Sequence, residues 1–288
     1  MSQIKKILAC VDKSSYANHV ADYGAWAAQK LTLPLELLHV IDRHQETASS
    51  DDHSGSIGID AQENLLCRLA NEEGERAKEV REQGRIFLND LRRRCELNGS
   101  ISLDVKQRYG QLIDTLTEEQ DLVALYVLGR RGESAAETHR DLGRHVELIS
   151  RQIRRPILTV AGSFSEPKAA LVAYDGRKMS RRGVELIAAN SQLNDIPFHI
   201  VMSGRSSKDA EKHLNWAEEK LVSQGFCVHT AYLPGDPEQQ ITKAISEREI
   251  DVLVMGAYSR SPLRTIFFGS RTNDLLRASK VPTVTIHV

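Results

Sequence analysis

Lys6-Ile7-Leu8-Ala9-Cys10-Val11-Asp12 is an apolar run that stops on a carboxylate, and it returns as Ala169-Ala170-Leu171-Val172-Ala173-Tyr174-Asp175. Each run leads into a helical pattern. The first carries apolar or small residues at Val20, Gly24, Ala28 and Leu31, the second at Val184, Ile187, Ala188 and Ser191. A second strand pattern follows each helix, at residues 35–40 and 198–202. Each half then has a late apolar strand ending in glycine, at Gly129 and at Gly256. Both halves close on a proline followed by an alternating strand, Pro156-Ile157-Leu158-Thr159-Val160 and Pro282-Thr283-Val284-Thr285-Ile286. The chain is an internal repeat.

The spacing of the repeat locates an insertion. Asp175 lies 163 positions after Asp12, but Gly256 lies only 127 after Gly129, so the first half carries about 36 extra residues. They fit residues 43–97, a polar stretch rich in Ser, Asp and Gly followed by a long charged helix pattern. There Arg85, Arg92, Arg93 and Arg94 alternate with acidic residues, as on a solvated face. Turn formers at Gly162-Ser163-Phe164-Ser165-Glu166-Pro167 divide the chain into a domain at 1–161, with the helical insertion, and one at 168–288.

Apolar strands alternating with helices of ten or more residues give βαβ units and a parallel sheet. Right-handed crossovers then make each half a doubly wound α/β domain. So short a link predicts that the halves pack as a pseudo-dimer, with the closing strands at 157–160 and 283–286 as the edges that meet.

With 288 residues, 41% apolar and 27% charged, the composition suits two globular domains. A net charge of −1 provides no basic field to hold nucleic acid or an anionic membrane. No apolar run reaches membrane-spanning length, and the first residues lack the pattern of a signal peptide. Cys10, Cys67, Cys95 and Cys227 show no paired or metal-ligand spacing, which fits a reducing, cytoplasmic setting.

Ligands of an open α/β sheet bind beyond the carboxyl ends of the strands, so the loops after Gly129 and Gly256 are the candidates. Glycine there lets backbone N–H groups approach phosphate oxygens, and the Gly143-Arg144 and Gly269-Ser270 pairs precede helix patterns whose N-termini favour anions. No Gly-x4-Gly-Lys-Ser/Thr loop and no Gly-x-Gly-x-x-Gly turn stands in the required place. Lys178-Met179-Ser180 matches a tRNA-synthetase signature in letters, but it follows a first strand rather than a late one. Neither loop places a fixed base beside an attacking water, and His39 reads as a partly buried strand histidine. An enzyme is therefore not expected, although slow turnover of a bound phosphate compound is compatible with the residues.

Both halves resemble universal stress protein domains, and the whole chain resembles the tandem form of that family. The resemblance implies a Rossmann-like fold of the adenine nucleotide alpha hydrolase type. It also implies a Gly-x2-Gly-x9-Gly-Ser/Thr loop for the phosphates of ATP or a related adenine nucleotide, with Mg2+ as an accompanying ion. A first-strand acid and backbone near the end of the second strand would hold adenine and ribose. In the second half the matching positions are Asp175, Met202, Gly256, Gly269 and Ser270, with Ser259 in place of the second glycine and Arg260 beside it. In the first half they are Asp12, Val40, Gly129, Gly132 and Gly143, with a spacer one residue longer and Arg144 where a small hydroxyl residue is expected. The second half is the better match.

The resulting expectation is a nucleotide-dependent sensor or regulator with an unidentified protein partner. Two other readings stay open: a nucleotide-free scaffold working through the 43–97 insertion, and a site in the first half for another small anion, addressed by Arg131 and Arg144. Association of whole chains into a homodimer also stays open.

Overall fold

The computed structural model describes residues 5–41, 59–97 (side chains from 71), 99, 101–132, 144–204, 209–256 and 279–287. The first half runs β1 (Lys6–Cys10), α1 (Ala17–Leu31), β2 (Leu35–Ile41), α2 (Ile59–Leu97), β3 (Leu103–Tyr109), α3 (Leu112–Glu119), β4 (Val123–Gly129), α4 (Arg144–Gln152) and β5 (Ile157–Val160). The second runs β6 (Ala170–Tyr174), α5 (Lys178–Ala188), β7 (Phe198–Gly204), α6 (Ala210–Val222), β8 (Val228–Pro234), α7 (Pro237–Glu247), β9 (Val252–Gly256) and β10 (Thr283–Ile286).

The strands form one ten-stranded sheet in the order β3-β2-β1-β4-β5-β10-β9-β6-β7-β8. Neighbours are parallel except at the centre, where β5 and β10 run antiparallel with Thr159 opposite Thr283 and Leu158 opposite Val284. Each half is thus doubly wound, and the closing strands join the halves as the repeat predicted. Apolar clusters cover both faces in each half, which is why the inner strands are apolar at successive positions.

Local chemistry sets the turns. Gly24 brings α1 onto β1, where a Cβ at that position would stand 3.0 Å from the Ala9 Cβ. Asp236 caps α7 by accepting from the Glu238 and Gln239 N–H groups, and Pro237 opens the helix, so Gly235-Asp236-Pro237 shapes the turn into it.

Side chains reinforce the seam between the halves. Trp26 of α1 and Val284 of β10 pack against the cores of both. Lys30 pairs with Asp195, and Arg130 Nη1 donates to the Ser279 carbonyl at 2.7 Å. The connecting segment is pinned by Phe164, edge-on to Tyr23, and by the Ser165 N–H donating to the Tyr23 hydroxyl.

The charged stretch forms a 39-residue helix, α2. Leu88, Leu91 and Cys95 bury one face of its last turns against α1 and the sheet. Arg85, Arg92 and Arg93 pair with Glu82, Glu96 and Asp90 on the same helix, as a solvated face requires. Arg94 departs from that reading. Its guanidinium reaches Asp22 of α1 through two bonds of 2.8 and 2.7 Å, and the Asp22 side chain is only 3% exposed. The partner lies 72 positions away, beyond any pattern within the helix.

Candidate functional site

Strand order reverses between β1 and β4 and again between β6 and β9, opening a crevice at the carboxyl ends of both pairs. The parallel registers bring the acid after each first strand to one residue beyond the level of the glycine that ends each late strand. Cys10 lies opposite Leu128, with Asp12 and Gly129 just beyond; Ala173 lies opposite Met255, with Asp175 and Gly256 just beyond.

Both acids are set by the same turn. Asp12 Oδ1 accepts from the Ser14 N–H at 3.1 Å, and Asp175 Oδ1 accepts from the Arg177 N–H at 2.9 Å. Asp175 Oδ1 accepts a further bond of 2.6 Å from the Ser180 hydroxyl, where Ala17 occupies the equivalent first-half position. The Asp175 side chain stays 57% exposed, with Oδ2 lying 3.9 Å from Arg177 Nε. In the first half Gly132 folds back so closely that a Cβ there would stand 2.9 Å from Asp12 Oδ2. Asp12, Gly129 and Gly132 therefore converge.

Val40 is half-buried on β2, and Met202 is 5% exposed with its side chain in the second-half core, so β7 presents main chain at that point. His39 is buried, its Nδ1 donating to the Val11 carbonyl at 2.9 Å and its ring edge-on to Phe87. Its buried strand role agrees with the sequence. Gly143, Ser259, Arg260, Gly269 and Ser270 lie outside the described residues, as does the side chain of Arg144, which opens α4.

Sequence reasoning missed what supports Asp175. Gly176 adopts φ +71°, and the His213 ring fills the space where a Cβ would stand. Arg181 Nε donates to the Gly176 carbonyl at 2.9 Å, Nη2 donates to His213 Nδ1 at 3.1 Å, and the guanidinium lies 4.8 Å from the Trp216 ring centre. The spacing between Arg181 and α6 carries no local signal.

Other ionisable clusters sit away from this crevice. At the opposite end of β1, Lys6 bridges Glu36 and Glu119, which also binds Lys106 and Arg108. Burial alone would lower the Lys6 pKa and raise that of Glu119. The facing charges outweigh it, raising the lysine and lowering the carboxylate. Burial pushes the Cys10 thiol up, and pushes that of Cys95 up to about 12, so both are poor nucleophiles. Among the described residues no helix is long and apolar enough to cross a membrane.

Two doubly wound halves, each with an acid and a glycine at the ends of neighbouring strands at the switch point, define a tandem α/β protein of the Rossmann-like class. The profile of the universal stress protein family matches residues 3–161 and again 167–287, and the chain belongs to that family. It is 33% identical over 285 residues to the universal stress protein Slr1230 of Synechocystis sp., a match covering 98% of this chain and 99% of that protein. It is 22% identical over 125 residues to the universal stress protein MJ0577 of Methanocaldococcus jannaschii, covering 42% of this chain and 77% of the other. The crystal structure of a universal stress protein from Archaeoglobus fulgidus DSM 4304 shares the fold. Its TM-score is 0.71 at 21% identity, over 98% of this chain and 96% of that one.

Proposed function

We propose that this chain binds ATP or a related adenine nucleotide beyond the carboxyl ends of its strands and works as a stress-response sensor or regulator rather than as a fast enzyme. The observation that carries the reading is the placement of an acid and a late-strand glycine on neighbouring strand ends at the switch point of both halves. The residues fit such a ligand. The Asp175 carboxylate is 57% exposed and can accept from a ribose hydroxyl, and the main chain at Met202 lies beside the end of β6.

The second half is the preferred site. Gly269-Ser270 supplies the end of the phosphate-loop signature there, with Ser259 in place of its second glycine, whereas Arg144 replaces the small hydroxyl residue in the first half. Gly256, Ser259, Arg260, Gly269 and Ser270 would hold the phosphates, with Mg2+ entering alongside them. Binding without turnover fits the state of Asp175, whose Oδ1 is already occupied by its own loop and helix. Nucleotide would order the glycine loop and shift a conformational equilibrium, changing the surface offered to a protein partner.

The test is to denature freshly purified protein, identify any released nucleotide by mass spectrometry, and titrate ATP in parallel. Adenine nucleotide near one equivalent per chain supports a single-site sensor. Protein that is empty and ignores millimolar ATP overturns the reading and leaves a scaffold. Gly269→Val is expected to abolish binding with little change in melting temperature. If binding persists unchanged, the site moves to the first half, where Arg144→Ser tightens it if the arginine is a plug and weakens it if the arginine is a ligand.

A further inference from the structure

We propose that Arg181 is a positioning residue of the second-half nucleotide site, holding the Asp175 loop in its binding geometry and linking that loop to Trp216. The inference rests on the nucleotide-binding reading above, and it concerns residues that the loop signature does not include.

Three independent contacts fix the short segment between β6 and α5. Asp175 is held from its own helix by Ser180 and by the Arg177 N–H. Gly176 is held in the left-handed region with the His213 ring, at 2.7 Å, where a side chain would otherwise stand. The Gly176 carbonyl is held by Arg181, whose other contacts run to α6. Because Arg181 donates to His213 Nδ1, that nitrogen carries a lone pair and the guanidinium is oriented from two directions. Stacking on Trp216 supplies a third constraint. Arg181 also lies close to the end of β6: burial raises the Tyr174 pKa, and the arginine's charge opposes that shift.

The first half makes the same turn with different residues around it. The 163-residue offset puts Lys13 at the Gly176 position, Asn18 at the Arg181 position and Ala17 at the Ser180 position. Lys13 instead donates to Gln83 on the insertion helix. The two acids thus share a backbone turn, and the second sits in a loop that the Arg181 guanidinium ties to the helix after β7. A carboxylate fixed before the ligand arrives loses less freedom on binding. Displacing Asp175 would in turn pull on Arg181 and alter the environment of Trp216.

Two readouts on the full chain test this: calorimetric ATP affinity, and tryptophan emission during the same titration, with Trp216→Phe identifying the Trp216 contribution. Wild type is expected to show an ATP-dependent emission change that Trp216→Phe abolishes. Arg181→Ala should raise the ATP Kd about tenfold and remove the emission change, and Arg181→Lys, which keeps a donor for Gly176, should restore part of both. Arg181→Ala that binds ATP with wild-type affinity and an unchanged emission response overturns the positioning role alone. So does an Arg181→Lys protein that is folded, by circular dichroism, yet no better than alanine. Wild type that takes up no ATP overturns this inference together with the reading beneath it.

Discussion

The Cβ that Gly256 lacks would stand 2.8 Å from the Met179 Cβ, inside the closest approach that two such atoms make. The first half repeats the relationship, with Gly129 against the Tyr16 Cβ at 2.9 Å. Tyr16 and Met179 occupy the same position of the repeat, just before the helix that follows the acid or within its first turn. The late-strand glycine therefore has a structural task before any ligand is considered: it admits the start of that helix to the end of the neighbouring strand.

Gly256→Ala is accordingly expected to destabilise the protein by about 1–3 kcal/mol, the usual range for overpacking a tight site. Met179 Cβ is fixed to backbone and cannot swing aside, so α5 must shift, carrying Asp175 with it. Urea denaturation and ATP titration should both register the change. That double effect separates Gly256 from Gly269, where binding alone is expected to fail.

Arg94→Ala removes the guanidinium that binds, through two bonds, a carboxylate the fold has buried. A fully buried pair broken on one side costs about 3–5 kcal/mol, and the 45% exposure of the Arg94 side chain brings the expected loss nearer to about 2 kcal/mol. Chemical denaturation of Arg94→Ala beside Arg92→Ala checks it. The second variant loses only a solvated pair and should stay within about 0.5 kcal/mol of wild type. Adding Asp22→Asn to Arg94→Ala should recover part of the loss, because a neutral amide costs less to bury than a carboxylate that has lost its two bonds to Arg94.

His199 predicts how stability responds to acid. Burial lowers its pKa from 6.5, and the charges of Arg248 and His229 lower it further. Arg248 Nη1 donates to His199 Nδ1 at 3.3 Å, a bond that the neutral ring accepts and the protonated ring cannot. Above pH 6.5 both folded and unfolded chains carry the neutral ring and the contribution is intact. As pH falls below 6.5 the unfolded chain takes up the proton first, so stability declines until pH reaches the lowered folded value, and is flat beneath it. Melting temperatures between pH 8 and pH 5 should fall on the acid side, and His199→Gln should flatten that part of the profile.

Much of the architecture was legible in the residues. The returning apolar run, the acids at Asp12 and Asp175, the glycines at Gly129 and Gly256 and the two closing strands are local patterns, and each marks a real element or turn. The insertion helix was legible too, because its charge pattern repeats with helical period over many turns. What supports Asp175 was not. Arg181 and His213 are separated by a helix end, a strand and a loop, so their contact depends on how α5 and α6 cross rather than on either sequence segment. Arg94 looked like its neighbours for the same reason, since helical spacing identifies its own turn but not the acid on another helix.

By itself, then, the sequence determined which segments are strands, where the chain doubles and which residues end the strands, because backbone sterics, side-chain branching and hydrophobic period act over a few positions. The tertiary structure decided that the closing strands meet antiparallel within a single sheet, that Gly256 faces Met179, and that the Asp175 loop is braced through Arg181 and His213 from α6. Those relationships join residues far apart in the chain. They exist only once the helices have packed on the sheet and burial has made each contact worth more than the solvent it replaced.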